Sequence, residues 1–278
     1  MTNKIKMIAL DMDNTLLMPN KTLSERNIKV LQSLHTMGKS IVLTTGRPFP
    51  NVQPFLSQLQ LNQNNDYAIL FNGAIIKNIY TNQNLINHVF TLSDVDEVFN
   101  LIHNIRLPID LVTQDSVYSI KDFGKSGYVE LVGKLIPYSE KLLSELTPDL
   151  MFNKFVVCAT DAELNYLENV LQHTPILTKN INFVRSRRNL LEFVPNKVTK
   201  GAALSKLLKQ LSLTPDNLMA FGDEANDYSM LSLARVSVAM DNAIPSIKKV
   251  STNITKSNAE DLSLIHISET TRHAQISY

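Results

Sequence analysis

Two aspartates one residue apart, Asp11 and Asp13, follow the apolar run "MIAL" and lead into Asn14 and Thr15. On an extended segment both carboxylates fall on one side, where like charges repel unless something compensates them. A hard cation held through oxygen ligands, Mg²⁺ above all, would do so. One carboxylate is also fit to be a nucleophile, as in enzymes that form an aspartyl-phosphate. A strand-end turn with solvated acids, Asp13 capping, explains this stretch equally well when it is taken alone.

Three further places put polar groups just after apolar runs or at a helix mouth. In Thr44-Thr45-Gly46-Arg47 a hydroxyl stands beside a glycine turn and a following helix start. Free backbone N–H groups point there, which suits a phosphate oxygen, although a lone Thr-Gly is more often only a turn. Lys200 opens "KGAALSKLL". An ammonium at a helix N-terminus attracts a phosphoryl group and balances carboxylates, but a lone lysine there is ordinarily just solvated. In "FGDEANDYSML" Asp223 ends a strand, and Asn226 and Asp227 lie in the first turn of the next helix. That geometry suits a metal ligand with a second carboxylate to orient it. Helix capping and dipole-favoured acids explain these residues one by one, but not their recurrence at strand ends.

The elements around these motifs give them a common location. "IKMIAL", "SIVLTTGRP" and "YAILFNGA" read as buried strands. A helix from about Ser24 to Met37 separates the first two, opened by a Thr22–Glu25 capping box and stopped at Gly38. A second helix starts near Pro48 and runs to about Gln60. This alternation predicts an α/β fold: a Rossmann-like parallel sheet with helices on both faces. Ligands of such sheets gather outside the carboxyl ends of the strands, so the four motifs are candidates for one site.

After Gly73 the rhythm changes. "AIIKNIY" and "NLINHVFTL" read as a hairpin, "SDVDEVFNLIHN" as a helix capped by Ser93, and "FVVCA" as a strand. "TDAELNYLENVLQ" is a helix with a Thr160–Glu163 capping box, and "INFVRSRRNLLEFVP" two strands around a basic turn. The first rhythm resumes at Lys200 with helix "KGAALSKLLKQL", strand "LMAFGD", helix "ANDYSMLSLA", strand "VSVAM", helix "IPSIKKV" and strand "NITKS". The predicted organisation is a discontinuous core of residues 1–80 and 196–261, with an α+β cap domain, 81–195, inserted in it.

Composition agrees with this. The chain has 278 residues, 44% hydrophobic and 19% charged, enough for two cores. A net charge of +1 gives no field for nucleic acid or an anionic membrane as partner. The single cysteine, Cys158, excludes an intramolecular disulfide and a cysteine-rich zinc site, and reads as a small core residue suited to a reducing cytosol. His35, His88 and His103 show no metal spacing. Aspartate comes too early for a signal peptide, and no apolar run approaches the roughly 20 residues of a membrane span, so a cytoplasmic location is expected.

Asp-x-Asp-x-Thr, a Thr-Gly turn, a lysine and Gly-Asp-x-x-Asn-Asp, in that order, resemble the haloacid dehalogenase superfamily. "TTGRP", "NGA", "VTKGAAL", "FGDEANDYSML" and "VAMDNA" resemble more narrowly its Cof-type phosphatases, which carry a large inserted α/β cap. The likeness runs from Lys6 to about Asp261. It implies a Mg²⁺-dependent phosphatase of small phosphorylated metabolites: sugar phosphates, phosphorylated flavin precursors or pyridoxal phosphate. It implies Asp11 as the nucleophile that becomes an aspartyl-phosphate, and Asp13 as the acid, then base, serving leaving group and water. Thr45 with Gly46, Lys200 and Asn226 would hold the phosphoryl oxygens. Mg²⁺ would be held by the Asp11 carboxylate, the Asp13 backbone carbonyl and Asp223, with Asp227 beside them.

Two residues depart from the family pattern. Asn14 replaces a glycine but tolerates a left-handed backbone. Asp241 replaces another, and is expected near the site mouth as an added negative charge. The arginines of the basic turn, Arg185, Arg187 and Arg188, would suit a second anionic group of a substrate; a solvated turn is the simpler expectation. Residues 262–278 lack caps and a helix period, and "LSLIHISE" matches translation of a transposase adapter used for sequencing libraries. This tail is expected to be non-native, on a truncated gene, and dispensable. The competing functions are a phosphomutase or phosphotransferase on the same scaffold, and a non-catalytic binder of phosphorylated ligands. Intact Asp11, Asp13, Lys200 and Asp223 weigh against the binder.

Overall fold

The computed structural model describes residues 5–133, 135–177 and 179–260; the tail expected to be non-native lies outside them. The chain divides into two compact units. One comprises the residues up to Thr45, Pro54–Leu85, and those from Thr199 on; the other comprises Gly46–Gln53 and Ile86–Val198.

In the first unit, strands β1 (Met7–Leu10), β2 (Ser40–Thr44) and β3 (Tyr67–Leu70) alternate with helices α1 (Glu25–Thr36) and α2 (Gln53–Gln58). A hairpin, β4 (Ile75–Asn78) and β5 (Asn84–Asn87), follows β3 and extends the same sheet. After the second unit come α6 (Lys200–Gln210), β12 (Leu218–Gly222), α7 (Tyr228–Leu233), β13 (Val236–Ala239), α8 (Pro245–Val250) and β14 (Asn253–Ile254). The eight-stranded order is β14-β13-β12-β1-β2-β3-β4-β5. Every pairing from β14 to β3 is parallel, and β3–β4 is antiparallel. From β1 the strand order runs outward in both directions, so right-handed crossovers put helices on both faces of the sheet. The central strands β1, β3 and β12 are apolar along their whole length because both faces are covered, and every residue of the three is buried.

The second unit holds β6 (Asp110–Val112), β7 (Val117–Ile120), β8 (Tyr138–Lys141), β9 (Lys154–Cys158), β10 (Ile181–Arg187) and β11 (Leu190–Pro195), with α3 (Leu92–Asn104), α4 (Tyr128–Val132) and α5 (Asp161–His173). Its sheet order is β10-β11-β9-β6-β7-β8, antiparallel except for β7–β8. Alternate residues such as Leu111, Phe155, Val157, Leu191 and Phe193 build one core with Phe99 of α3 and Leu164 of α5. Phe155 stacks on Phe193 with ring centroids 4.3 Å apart and meets Phe99 edge-on at 5.0 Å.

Four local expectations change. Helix α1 is capped by Ser24, whose hydroxyl accepts from the Asn27 N–H; Thr22 instead bonds Asn20, so no Thr22–Glu25 box forms. Helix α3 is capped by Thr91, two residues before Ser93, because Asp94 accepts both the Thr91 N–H and its hydroxyl at 2.7 Å. The single helix expected from Pro48 to Gln60 is a 3₁₀ turn, Phe49–Asn51, followed by α2. Cys158 is half-buried at the end of β9 rather than fully in the core.

Candidate active site

Parallel pairing of β1 with both β12 and β2 sets Leu10 beside Phe221 and Leu43. The residues just past these strand ends are Asp11, Asp223 and Thr45, all buried. Asp11 continues the ladder, its N–H donating to the Phe221 carbonyl at 3.1 Å. Beyond it the chain leaves the sheet in a tight turn that requires a left-handed residue, and Asn14 supplies it with φ +62°. Asn242 of the "VAMDNA" stretch closes over that turn, donating to the Asn14 carbonyl at 2.9 Å.

Lys200 enters at the first turn of α6, where Thr199 is the N-cap and accepts from the Ala202 N–H at 3.0 Å. Its ammonium is fully buried, 2.5 Å from Asp11 Oδ1 and 2.6 Å from Asp227 Oδ1. The other oxygen of Asp227 accepts the N–H groups of Asp223, at 2.9 Å, and Glu224, at 3.1 Å. This fold-back needs Gly222: a Cβ there would stand 2.6 Å from Asp227 Cβ and Cγ. Asp223 Oδ1 in turn accepts the Thr15 hydroxyl at 2.6 Å, joining the first and fourth motifs.

Carboxylate oxygens of Asp11, Asp223 and Asp227 lie within 4.8 Å of one another. The cluster of three buried carboxylates contains one ammonium, paired with Asp11 and Asp227, so full ionisation leaves two negative charges uncompensated. Burial, partly opposed by Lys200 and reinforced by Asp227, pushes Asp11 up to about 7. Burial, with Asp11 and Asp227 as like-charged neighbours, pushes Asp223 up to about 9. Burial alone would lower the pKa of Lys200, but Asp11 and Asp227 outweigh it and hold the ammonium charged. An all-oxygen, over-negative, buried donor set of this kind fits a hard divalent cation.

The structure therefore brings Asp11, Lys200, Asp223 and Asp227 together. Asp13 stands apart: its carboxylate meets the Lys21 ammonium at 3.0 Å and is not among the clustered acids. Thr45 is buried at the end of β2, its N–H bonded to the Ile69 carbonyl at 2.9 Å, whereas Gly46 begins the segment that belongs to the second unit. Asn226 donates its amide nitrogen to Asn72 Oδ1 at 3.0 Å. Thr15 and Asn72 are the contributors that the sequence left without a role. Both lie inside the strand-end motifs, and only their partners across the sheet reveal their contacts. Asp241 is exposed and paired with Lys248 at 3.3 Å. Arg185 is tied to Asp161, at 3.2 Å, and Glu168, at 2.5 Å, and Arg188 also pairs with Asp161, so both brace α5.

No helix of the described residues is long and apolar enough to cross a membrane. A model of the haloacid dehalogenase-like hydrolase family matches residues 8–263. The chain is 28% identical over 280 residues to the 5-amino-6-(5-phospho-D-ribitylamino)uracil phosphatase YitU of Bacillus subtilis, covering 94% of this chain and 96% of that one. It is 29% identical over 255 residues to the HMP-PP phosphatase of Enterobacter sp. (strain 638), covering 87% and 86%. A haloacid dehalogenase-like hydrolase from Bacteroides thetaiotaomicron, solved by crystallography, superposes with a TM-score of 0.81 at 28% identity, over 98% of this chain and all of that one. The strand-end motifs, the topology and these likenesses agree: the chain belongs to the haloacid dehalogenase-like hydrolase family, is of its Cof type, and is by that kinship a phosphoric monoester hydrolase.

Proposed function

We propose that this chain is a Mg²⁺-dependent phosphatase of small phosphorylated metabolites that works through a phosphorylated Asp11. The observation that carries the proposal is the buried cluster of Asp11, Asp223 and Asp227 around Lys200 at the ends of β1 and β12. Asp11, the Asp13 backbone carbonyl and Asp223 would hold Mg²⁺. Both oxygens of Asp227 are already engaged by Lys200 and by backbone N–H groups, so it serves them chiefly as an orienting strut. Bound there, Mg²⁺ neutralises surplus charge and draws electron density from phosphoryl oxygens.

Phosphoryl transfer is mostly positioning and charge neutralisation, and the remaining roles follow from that. Lys200, Thr45 with the Gly46 backbone, and one N–H of Asn226 hold the phosphoryl oxygens. An Asp11 oxygen attacks phosphorus as the bond to the substrate's ester oxygen breaks, and Asp13 delivers a proton to that oxygen. Asp13 then takes a proton from water, which attacks the phosphorus of the aspartyl-phosphate; inorganic phosphate leaves and Asp11 is regenerated. The side chain that must exchange protons is the one outside the clustered acids, as this division of labour requires. The relatives named above make 5-amino-6-(5-phospho-D-ribitylamino)uracil and HMP-PP the first substrates to try.

The test is p-nitrophenyl phosphate hydrolysis by the purified chain with Mg²⁺ and then with EDTA, beside Asp11→Asn. Activity that requires both the metal and Asp11 supports the proposal. A folded wild type that hydrolyses nothing, or an Asp11→Asn variant within tenfold of it, overturns it.

A further inference from the structure

The turn after β3, Phe71-Asn72-Gly73, has no part in the mechanism above, yet it has an unusual backbone. Three consecutive residues are left-handed, with φ +50°, +57° and +108°. Asparagine and glycine accept that conformation, whereas a buried phenylalanine does so only when its surroundings impose it. Such strain gathers where several neighbours fix a segment at once. Here the neighbours are three of the four motif segments. The Asn72 N–H donates to the Thr45 carbonyl at 3.0 Å. Gly73 lies against the residue before Lys200, where a Cβ would stand 2.4 Å from the Thr199 carbonyl oxygen. Asn72 Oδ1 accepts from Asn226 Nδ2 at 3.0 Å.

The last contact has a chemical consequence. An asparagine side chain presents two donor hydrogens on one end and an acceptor on the other, and a half-turn exchanges them. Only the donor end can hold a phosphoryl oxygen; the acceptor end repels it. Asn72 Oδ1 takes one Asn226 hydrogen, and turning the Asn226 amide over while Asn72 keeps its orientation would set oxygen against oxygen. The second hydrogen is left for a ligand, while Asn226 Oδ1 is buried with no hydrogen-bond partner among the described residues. We propose that Asn72 is a positioning residue of the phosphate site, which acts by locking the Asn226 amide with its donor end toward the phosphoryl group. This rests on the phosphatase function proposed above and adds a residue to it.

Asn72→Gly tests this cleanly, because glycine keeps the left-handed backbone and removes only the amide. With p-nitrophenyl phosphate, the account expects KM, and Ki for inorganic phosphate as a competitive inhibitor, to rise about tenfold, the effect of losing one hydrogen bond to a charged group. The value of kcat should move much less. Asn226→Ala should cost at least as much, and adding Asn72→Gly to it should change neither constant further, because Asn72 acts through Asn226. A single variant with wild-type KM and Ki, or a double variant whose effects multiply, overturns the role of Asn72 and leaves the phosphatase standing. A folded wild type without phosphatase activity overturns both. The Asn226 amide can also be read in the wild type alone, by the ¹⁵N–¹H signals that vanish in Asn226→Ala. Slow hydrogen exchange is expected, and exchange as fast as that of an exposed amide would overturn the lock.

Discussion

Each unit of this protein buries a lysine, and the two sites are opposite in design. In the second unit Lys154 meets the Glu192 carboxylate at 3.1 Å and donates to the Gly46 carbonyl at 2.9 Å. The other oxygen of Glu192 accepts the Ser186 hydroxyl at 2.8 Å, so one positive and one negative charge are balanced and bonded. In the first unit Lys200 pairs with Asp11 and Asp227, Asp223 lies in the same acid cluster without touching the ammonium, and Asp11 and Asp223 are driven up, to about 7 and about 9. A balanced buried pair is complete as it stands, whereas a buried surplus of one sign is incomplete until a counter-charge arrives. On this contrast rests our proposal that the first cluster is a binding site and the second is structure.

The largest effect that would break this contrast is in turnover. Asp11→Asn should lower kcat at least about a thousandfold, since no other group can accept the phosphoryl group at that position. The same change removes one surplus charge, so without metal the variant should melt no lower than wild type. A variant that melts well below wild type in EDTA would mean that Asp11 is paired as fully as Glu192. At the balanced site the expectation reverses. Lys154→Met or Glu192→Leu should each cost about 3–5 kcal/mol by stranding its partner, and the double replacement should recover much of that. Urea unfolding of all three variants measures it, and additive losses would contradict the balance.

A smaller effect separates the sites by pH. The carboxyl groups of Asp11 and Asp223 are raised in the folded chain above the ordinary 3.8. Between that value and about 7 for Asp11, or about 9 for Asp223, the folded state holds protons that the unfolded state has lost. Their contribution to stability is therefore present at low pH and is lost as pH rises through this window. Without metal, the melting temperature should fall from pH 5 to pH 9 on this account, and saturating Mg²⁺ should restore most of the loss at the alkaline end. Equal melting temperatures across that range in EDTA would contradict it. The smallest effect is local: Asn14→Gly should be nearly neutral and Asn14→Ala should cost about 1 kcal/mol, because φ is +62° there. Thermal unfolding of the pair distinguishes them.

How much of this could be read from the chain follows from the length of its signals. The strands of the first unit announce themselves as continuous apolar runs because both faces are covered, and the Asp, Thr, Lys and Gly-Asp motifs sit at their ends. The stretch from Arg106 to Leu150 carries no legible pattern because β6 has three residues and β7, α4 and β8 four or five each, too few to show a period. Caps were legible where one hydroxyl competed for a helix start, as at Thr160. They are ambiguous where Ser, Thr and Asn crowd together, as at Thr22 with Ser24 and at Thr91 with Ser93. The candidate acids and Lys200 were legible by motif, but the roles of Thr15 and Asn72 depend on contacts across 208 and 154 residues of chain, which no local pattern encodes. Two strand neighbours, β1 and β12, bring the first and fourth motifs together.

The most direct test of the central claim, that this surplus of buried negative charge is there for a dication, is calorimetric titration of the metal-free protein with Mg²⁺ at pH 7, in two buffers of different ionisation enthalpy. The account predicts one saturable site that releases protons as it fills, weakened at least tenfold in Asp223→Asn. Binding without proton release, or binding that Asp223→Asn leaves unchanged, would contradict it.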